Sequence, residues 1–212
     1  MTQSREAKKA ETRAAILAAA IEVFSRSGYD GANFREITAI CGAKRSLILY
    51  HFESKELLWR EALTEIAERF SAHFASIHQP EVLGSDRERV RHALDCFLDS
   101  LQAVPEYGLI FLREGVSEGE RMDWMARHFL PRTAFPLELE DPELSERVHH
   151  TVLRDIFGSS LIAFVALGPL LERGLSLANR QASAGVYPLT EQRKAEFVDY
   201  LLTMVFGSGA PD

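Results

Sequence analysis

An all-α fold is expected for this chain, and three observations predict it. Apolar residues recur at spacings of three and four, the helical period, and nowhere settle into the alternation of a strand. The 8 Pro and 13 Gly among 212 residues fall mainly where that periodicity is interrupted. No window is rich in alternating β-branched and aromatic residues bounded by turn signals.

The elements follow in order. Ile16, Ala19, Ala20, Val23 and Phe24 lie at i, i+3, i+4, i+7 and i+8, one apolar stripe of a helix over about residues 8–27 that Gly28 stops. Asn33 followed three residues later by Glu36 resembles a capping box and opens a short helix, 34–41, ended by Gly42. A third short helix covers 45–51. Ser54 caps a fourth, whose stripe of Leu63, Ile66, Ala67, Phe70, Phe74 and Ile77 carries it to about His78. Pro80 and Gly84 mark a linker. The fifth helix, 86–104, buries Val90, Ala93, Leu94, Phe97, Leu98 and Leu101, with Asp95, Asp99 and Gln102 on a solvated face.

Pro105 ends that helix, and two shorter ones follow over 106–114 and 118–130. Pro131, Pro136 and Pro142 punctuate an acidic loop. Residues 144–173 read as one long helix buried on several faces, since its charge-free run from Ile156 to Leu171 is short for a bilayer span. After a loop holding Gly174, Gly185 and Pro188, the last helix covers 190–206. It is apolar on two faces, through Val198, Leu201, Leu202 and Val205 and through Phe197 and Met204, until Gly207.

Composition excludes the extremes. At 46% hydrophobic and 26% charged, the chain is neither disordered nor collagen-like, and it can bury a core without staples. Two cysteines, Cys41 and Cys96, and a polar start with Arg5, Lys8 and Lys9 point to a reducing interior, so a cytoplasmic location is expected. The net charge of −7 hides an asymmetry: the first 55 residues carry nine Lys/Arg against six Asp/Glu, and the remainder is strongly acidic. The front of the chain is therefore a candidate nucleic-acid module, although so small an excess on its own fits ordinary surface charge equally well.

Spacing sharpens that reading. Residues 33–55 place two short helices around a tight Gly42 turn, the second studded with cations, as in a helix-turn-helix. Ile37, Cys41, Ile48 and Phe52 can form its small core. Asn33, Arg35, Lys44, Arg45, Ser46, Leu49, Tyr50, His51 and Lys55 are the candidate DNA contacts. Arg and Lys suit guanine edges, while Ser46, Tyr50, His51 and Lys55 suit phosphate oxygens. Lys55 also stands at a helix N-terminus, where backbone N–H groups favour an anion. A helical hairpin with no DNA role is the plain alternative.

The string Gly42-Ala43-Lys44-Arg45-Ser46-Leu47-Ile48-Leu49-Tyr50-His51-Phe52-Glu53-Ser54-Lys55-Glu56-Leu57, with Phe34-Arg35-Glu36-Ile37 before it, resembles the recognition-helix signature of TetR-family transcriptional regulators. The resemblance is strongest over residues 8–60. It implies a helix-turn-helix DNA-binding domain at 1–55 and an effector-binding and dimerisation domain at 56–212, joined by the helix over 54–78. It also implies a homodimer formed by the last two long helices, and a repressor released from a near-palindromic operator by a small molecule. Lys44, Leu47 and Leu49 depart from the Ser, Thr and Tyr common in the family. Loss of the Ser cap at 44 would delay the helix to Ser46.

Aromatic and Met side chains on internal helix faces suggest an effector cavity among Phe97, Leu101, Tyr107, Phe111, Met122, Met125, Phe129, Leu161 and Phe164, though the same residues could simply be core. Arg113 could orient an anionic ligand or sit in a salt bridge. Gly158, Ser159, Phe197, Leu201, Met204 and Val205 are the candidate dimer seam. His149 and His150 point about 100° apart on a helix, which does not suit chelation. No nucleophile motif, phosphate loop or ligand cluster stands out, so no enzyme, metal or cofactor is expected. A helical small-molecule carrier that never touches DNA is the alternative, and an activator shares every residue with a repressor.

Overall fold

The computed structural model describes residues 2–79, 84–116, 118–133, 137–178 and 190–207, and among them it is helical with no strand. Pro80, Pro136, Gly185 and Pro188 lie outside the described residues. The helices are α1 Thr2–Gly31, α2 Phe34–Cys41, α3 Arg45–Phe52, α4 Lys55–Ile77, α5 Asp86–Ala103, α6 Pro105–Glu114, α7 Glu120–His128, α8 Pro142–His149, α9 Thr151–Ala166, α10 Gly168–Ala178 and α11 Glu191–Phe206, with a 3₁₀ turn over Leu130–Thr133.

The chain forms two compact units. The first is Met1–Arg69 with Leu109–Thr133, and the second is Phe70–Gly108 with Ala134–Asp212. These units do not follow a cut after Lys55. The first keeps most of α4 and takes in the end of α6, all of α7 and the 3₁₀ turn, with Trp124 of α7 against Trp59 of α4 and Glu114 of α6 bonded to Tyr29 of α1.

In the first unit, α1 crosses α2 and α3, and Ile16, Ala19, Ala20, Val23 and Phe24 are all buried, as their spacing requires. Gly28, at φ 67° and ψ 178°, interrupts α1 before a last turn to Gly31. Asn33 caps α2 by accepting the Glu36 N–H at 3.0 Å, and Gly42, at φ 70°, closes the helix in the left-handed region where a side chain would be strained. α3 begins at Arg45 even though its N-cap Lys44 makes no side-chain cap bond, so the helix is not delayed to Ser46. Ser54 caps α4 by accepting the Leu57 N–H at 3.1 Å. Leu58, Trp59, Ala62, Leu63, Ile66 and Ala67 of α4 are buried.

In the second unit α5 is the central helix, contacting both α9 and α11. Ser85 and Glu88 make a reciprocal capping box at its start, and Asp86 accepts the N–H groups of Glu140 and Asp141, both at 2.8 Å. Pro105 opens α6, where its missing N–H costs nothing. The stretch expected as one long helix is three. His150, at ψ 130°, separates α8 from α9, and Leu167 separates α9 from α10, so Gly174 lies inside a helix. Nor is it buried on several faces: Phe157, Leu161 and Ile162 are buried, but Ile156, Leu167, Leu170 and Leu171 are exposed. No described helix is long and apolar enough to cross a membrane.

The carboxylates expected to form a solvated face on α5 are instead part of the packing of α11. Buried Lys194 donates to Asp99 at 2.7 Å and to Glu191 at 3.1 Å. Asp95, desolvated beside Lys194, is held above the ordinary aspartate value.

Candidate nucleic-acid interface

Ile37, Ile48 and Phe52 are buried and Cys41 is half-buried, the small core that fixes α3 against α2. With those positions turned inward, Lys44, Arg45, Ser46 and Tyr50 are left on the outside of α3, all exposed, with Tyr50 67% accessible. Leu49 and His51 are half-buried and so present only part of their side chains. Asn33 and Arg35 are exposed at the start of α2. At the α3–α4 corner Glu53 adopts φ 61°, uncommon for a residue with a side chain, and its N–H bonds the Leu49 carbonyl.

Asn33, Arg35, Arg45 and Lys55 come together with Ala32, Phe34 and Thr38 around an open depression of about 650 Å³. Its rim holds three cations, which suits an anion better than an apolar ligand. The Arg45 guanidinium lies 5.2 Å from the centre of the Phe34 ring, so α2 holds the side chain that α3 supplies. Sequence reasoning found the four polar residues here and missed Phe34 and Thr38.

Lys55 is set from behind by a cluster not foreseen. Its ammonium lies 4.4 Å from the Tyr29 ring, and the Arg121 guanidinium of α7 lies 4.2 Å from the same ring. Arg121 also pairs with Asp30 at 3.0 Å. Desolvation lowers Lys55 from the ordinary lysine value, with a smaller push from Arg121, against the opposing pull of Asp30 and Glu114. Arg113 Nε donates to the Ser25 carbonyl at 3.0 Å, and no salt bridge stands among its described contacts.

Two further cations reach α3 from α1. Lys9 lies 5.3 Å from the Tyr50 ring, and Arg13 lies 4.7 Å from the Phe52 ring while pairing with Glu61. Partial burial and the nearby Lys9 and Arg13 charges hold His51 below the ordinary histidine value, so it is largely neutral at neutral pH. The signal was present in the sequence: Lys9 and Arg13 precede Ile16 at helical spacing.

The remaining candidates divide between the units. Phe97, Leu101, Tyr107, Leu161 and Phe164 belong to the second, whereas Phe111, Met122, Met125 and Phe129 belong to the first. Phe97, Leu101, Tyr107 and Leu161 are buried, and Phe70 stacks on Tyr107 at 4.2 Å. Met125 and Phe129 are buried in the first unit. Among the seam candidates Ser159 and Met204 are exposed, Gly158 is partly exposed, and Phe197 stacks on Phe164 at 3.9 Å. Leu201 and Val205 are buried within their own unit, so they are core rather than a free seam.

A helix-turn-helix with an exposed cationic second helix, carried by a chain that is helical without strands among its described residues, defines the class of nucleic-acid-binding helical modules. Residues 16–62 match the family of bacterial regulatory proteins, tetR family. The chain is 29% identical over 113 residues to the HTH-type transcriptional repressor NicS of Pseudomonas putida, covering 51% of this chain and 50% of that one. It is also 29% identical over 103 residues to the HTH-type transcriptional regulator RutR of Escherichia coli K12, covering 48% and 49%. The aligned region thus spans about half the length of these curated relatives. A tetR-family transcriptional regulator from Streptomyces coelicolor superposes with a TM-score of 0.58 at 16% identity over 92% of this chain and 78% of that one, a likeness of fold. Residues 16–62 thus carry the tetR-family match, and the rest of the chain shares the fold of such regulators.

Proposed function

We propose that the protein is a DNA-binding transcriptional regulator that acts as a homodimer on a near-palindromic operator. The observation that carries this reading is the exposed row Lys44, Arg45, Ser46 and Tyr50 on α3, set beside the cationic depression at Arg35, Arg45 and Lys55. Arg35 and Arg45 are suited to base edges in the major groove, and Lys44, Tyr50, His51 and Lys55 to the backbone. A carrier that never meets DNA has no use for such a row.

Repression relieved by a small molecule is the finer reading. It draws on the printed name of NicS, a repressor, and on helices α4 and α6, whose residues belong partly to each unit. Phe97, Leu101, Tyr107, Leu161 and Phe164 are the effector-lining residues we favour, because they share one unit. Linkage requires that effector and operator weaken each other's binding. The outer face of α11, with exposed Tyr200 and Met204, is the proposed dimer seam together with Gly158 and Ser159. Two copies would set their recognition helices about 34 Å apart, or a multiple of it.

The test is selection of bound duplexes from a randomised pool, followed by a footprint of the selected sequence repeated against a panel of small molecules. Enrichment of a two-fold-symmetric sequence supports the reading, and failure to enrich any duplex overturns it.

A further inference from the structure

The first two turns of α1 continue the face that becomes core further along. Arg5, Lys8, Lys9 and Arg13 are spaced by three, one and four, on the same ladder as Ile16, Ala19, Ala20 and Val23. From Ile16 onward this stripe is buried, but Arg5, Lys8 and Lys9 are exposed. The cations therefore lie on the side of α1 that its buried half turns toward α2 and α3. Lys9 rests on Tyr50 and Arg13 on Phe52, which brings this end of α1 to the end of the proposed recognition helix.

Beyond Arg13 the helix continues to Arg5, about 12 Å further at 1.5 Å per residue. Arg13 is paired with Glu61, but among the described residues neither Arg5 nor Lys8 holds an ion pair. Glu6 and Glu11 flank the stripe on either side and lie outside it.

We propose that the Arg5–Lys8–Lys9 stripe of α1 is a second DNA contact, which binds backbone phosphates of the duplex flanking the segment met by α3. The inference rests on the DNA-binding reading above and adds to it a longer footprint. The partner is a polyanion rather than a bilayer, because the opposite face of these turns presents Ala7, Ala10 and Ala14 and no large apolar side chain to insert. It reads no sequence, since ammonium and guanidinium groups on a flanking helix meet phosphate and not base edges. Each phosphate so neutralised releases a counterion, and the binding constant falls more steeply with salt.

The test uses the full chain and a duplex selected from a randomised pool, in a long form with flanks and a form trimmed to the footprint core. Binding is titrated with KCl for wild type and for Arg5→Gln/Lys8→Gln, which keeps helix-forming residues at both sites; matching thermal melts establish that both are folded. The expected result is a slope of log K against log[salt] shallower by about two per protomer on the long duplex, at roughly 0.9 per contact, and no difference on the trimmed one. Equal slopes on the long duplex, or equal losses on both, would overturn the proposal while leaving DNA binding by α3 intact. Absence of wild-type binding to any duplex would overturn both.

Discussion

The backbone N–H of Tyr29 donates to Glu114 Oε1 at 2.6 Å, across 85 residues of sequence. In an unbroken helix that N–H would bond the Ser25 carbonyl. Gly28 breaks the helix there, and the two groups take separate partners from adjacent residues of α6: Tyr29 N–H goes to Glu114, and the Ser25 carbonyl accepts from Arg113 Nε. A Cβ on Gly28 would stand 3.0 Å from the same Glu114 oxygen, so glycine serves both its positive φ and the approach of the carboxylate. Tyr29, held in this way, is the ring beneath Lys55.

Replacement of Glu114 by Ala leaves the Tyr29 N–H without that acceptor inside the first unit. A loss of about 1–3 kcal/mol is expected, the cost of an unsatisfied buried group, measured by denaturant unfolding. Arg113→Ala should cost less, because the Arg113 side chain that it removes is exposed. A Glu114→Ala protein as stable as wild type would show that the broken helix needs no splint.

Arg45→Ala should weaken binding to a selected duplex by roughly 1–3 kcal/mol and relax preference at one base pair. Lys55→Ala should weaken all sequences alike and lower the salt slope by about one. Competition binding against single-base variants of the duplex separates the two. Unchanged base preference in Arg45→Ala would assign that guanidinium, held over Phe34, to the backbone instead.

Met204→Arg should give a folded monomer with weakened operator binding, because Met204 is 51% exposed on α11. Leu201→Glu should instead unfold the second unit, since Leu201 is 4% exposed and a carboxylate there is buried without a partner. Sedimentation and circular dichroism on both variants distinguish these outcomes. A Met204→Arg dimer would move the seam elsewhere.

Asp95, raised above the ordinary aspartate value by burial, makes stability depend on pH in a definite sense. Its folded form holds a proton that the unfolded chain has released, so its favourable contribution is full below the unfolded value of about 3.9. That contribution is lost as pH rises through the folded value. Asp95→Asn should therefore melt higher than wild type at neutral pH, with the gap closing under acid. A gap that widens toward acid would mean that the ionised form is the one α11 favours.

How much was legible in advance differs from element to element. The residue pattern alone settled α2, whose ends at Phe34 and Cys41 are set by the Asn33 cap and Gly42, because both signals act within four residues of the helix they bound. Periodicity also placed Lys44, Arg45 and Ser46 on the outside of α3, but Leu49 and His51, expected beside them, are half-buried. The Ser85–Glu88 box was readable by the same rule and was overlooked.

What only the tertiary structure decided are features whose partners lie far along the chain. The break at His150 carries no Pro or Gly, so local propensity gave no warning there, whereas Gly168-Pro169 marks the one that follows Leu167. Asp99 looked solvated until Lys194 of α11 reached it across 95 residues. Glu114 takes its partner Tyr29 from across 85 residues, where α6 meets α1. Local signals fix where helices start and stop because caps and turns close within a few residues. Which polar groups are buried, and what they hold in place, depends on long-range packing that periodicity does not encode.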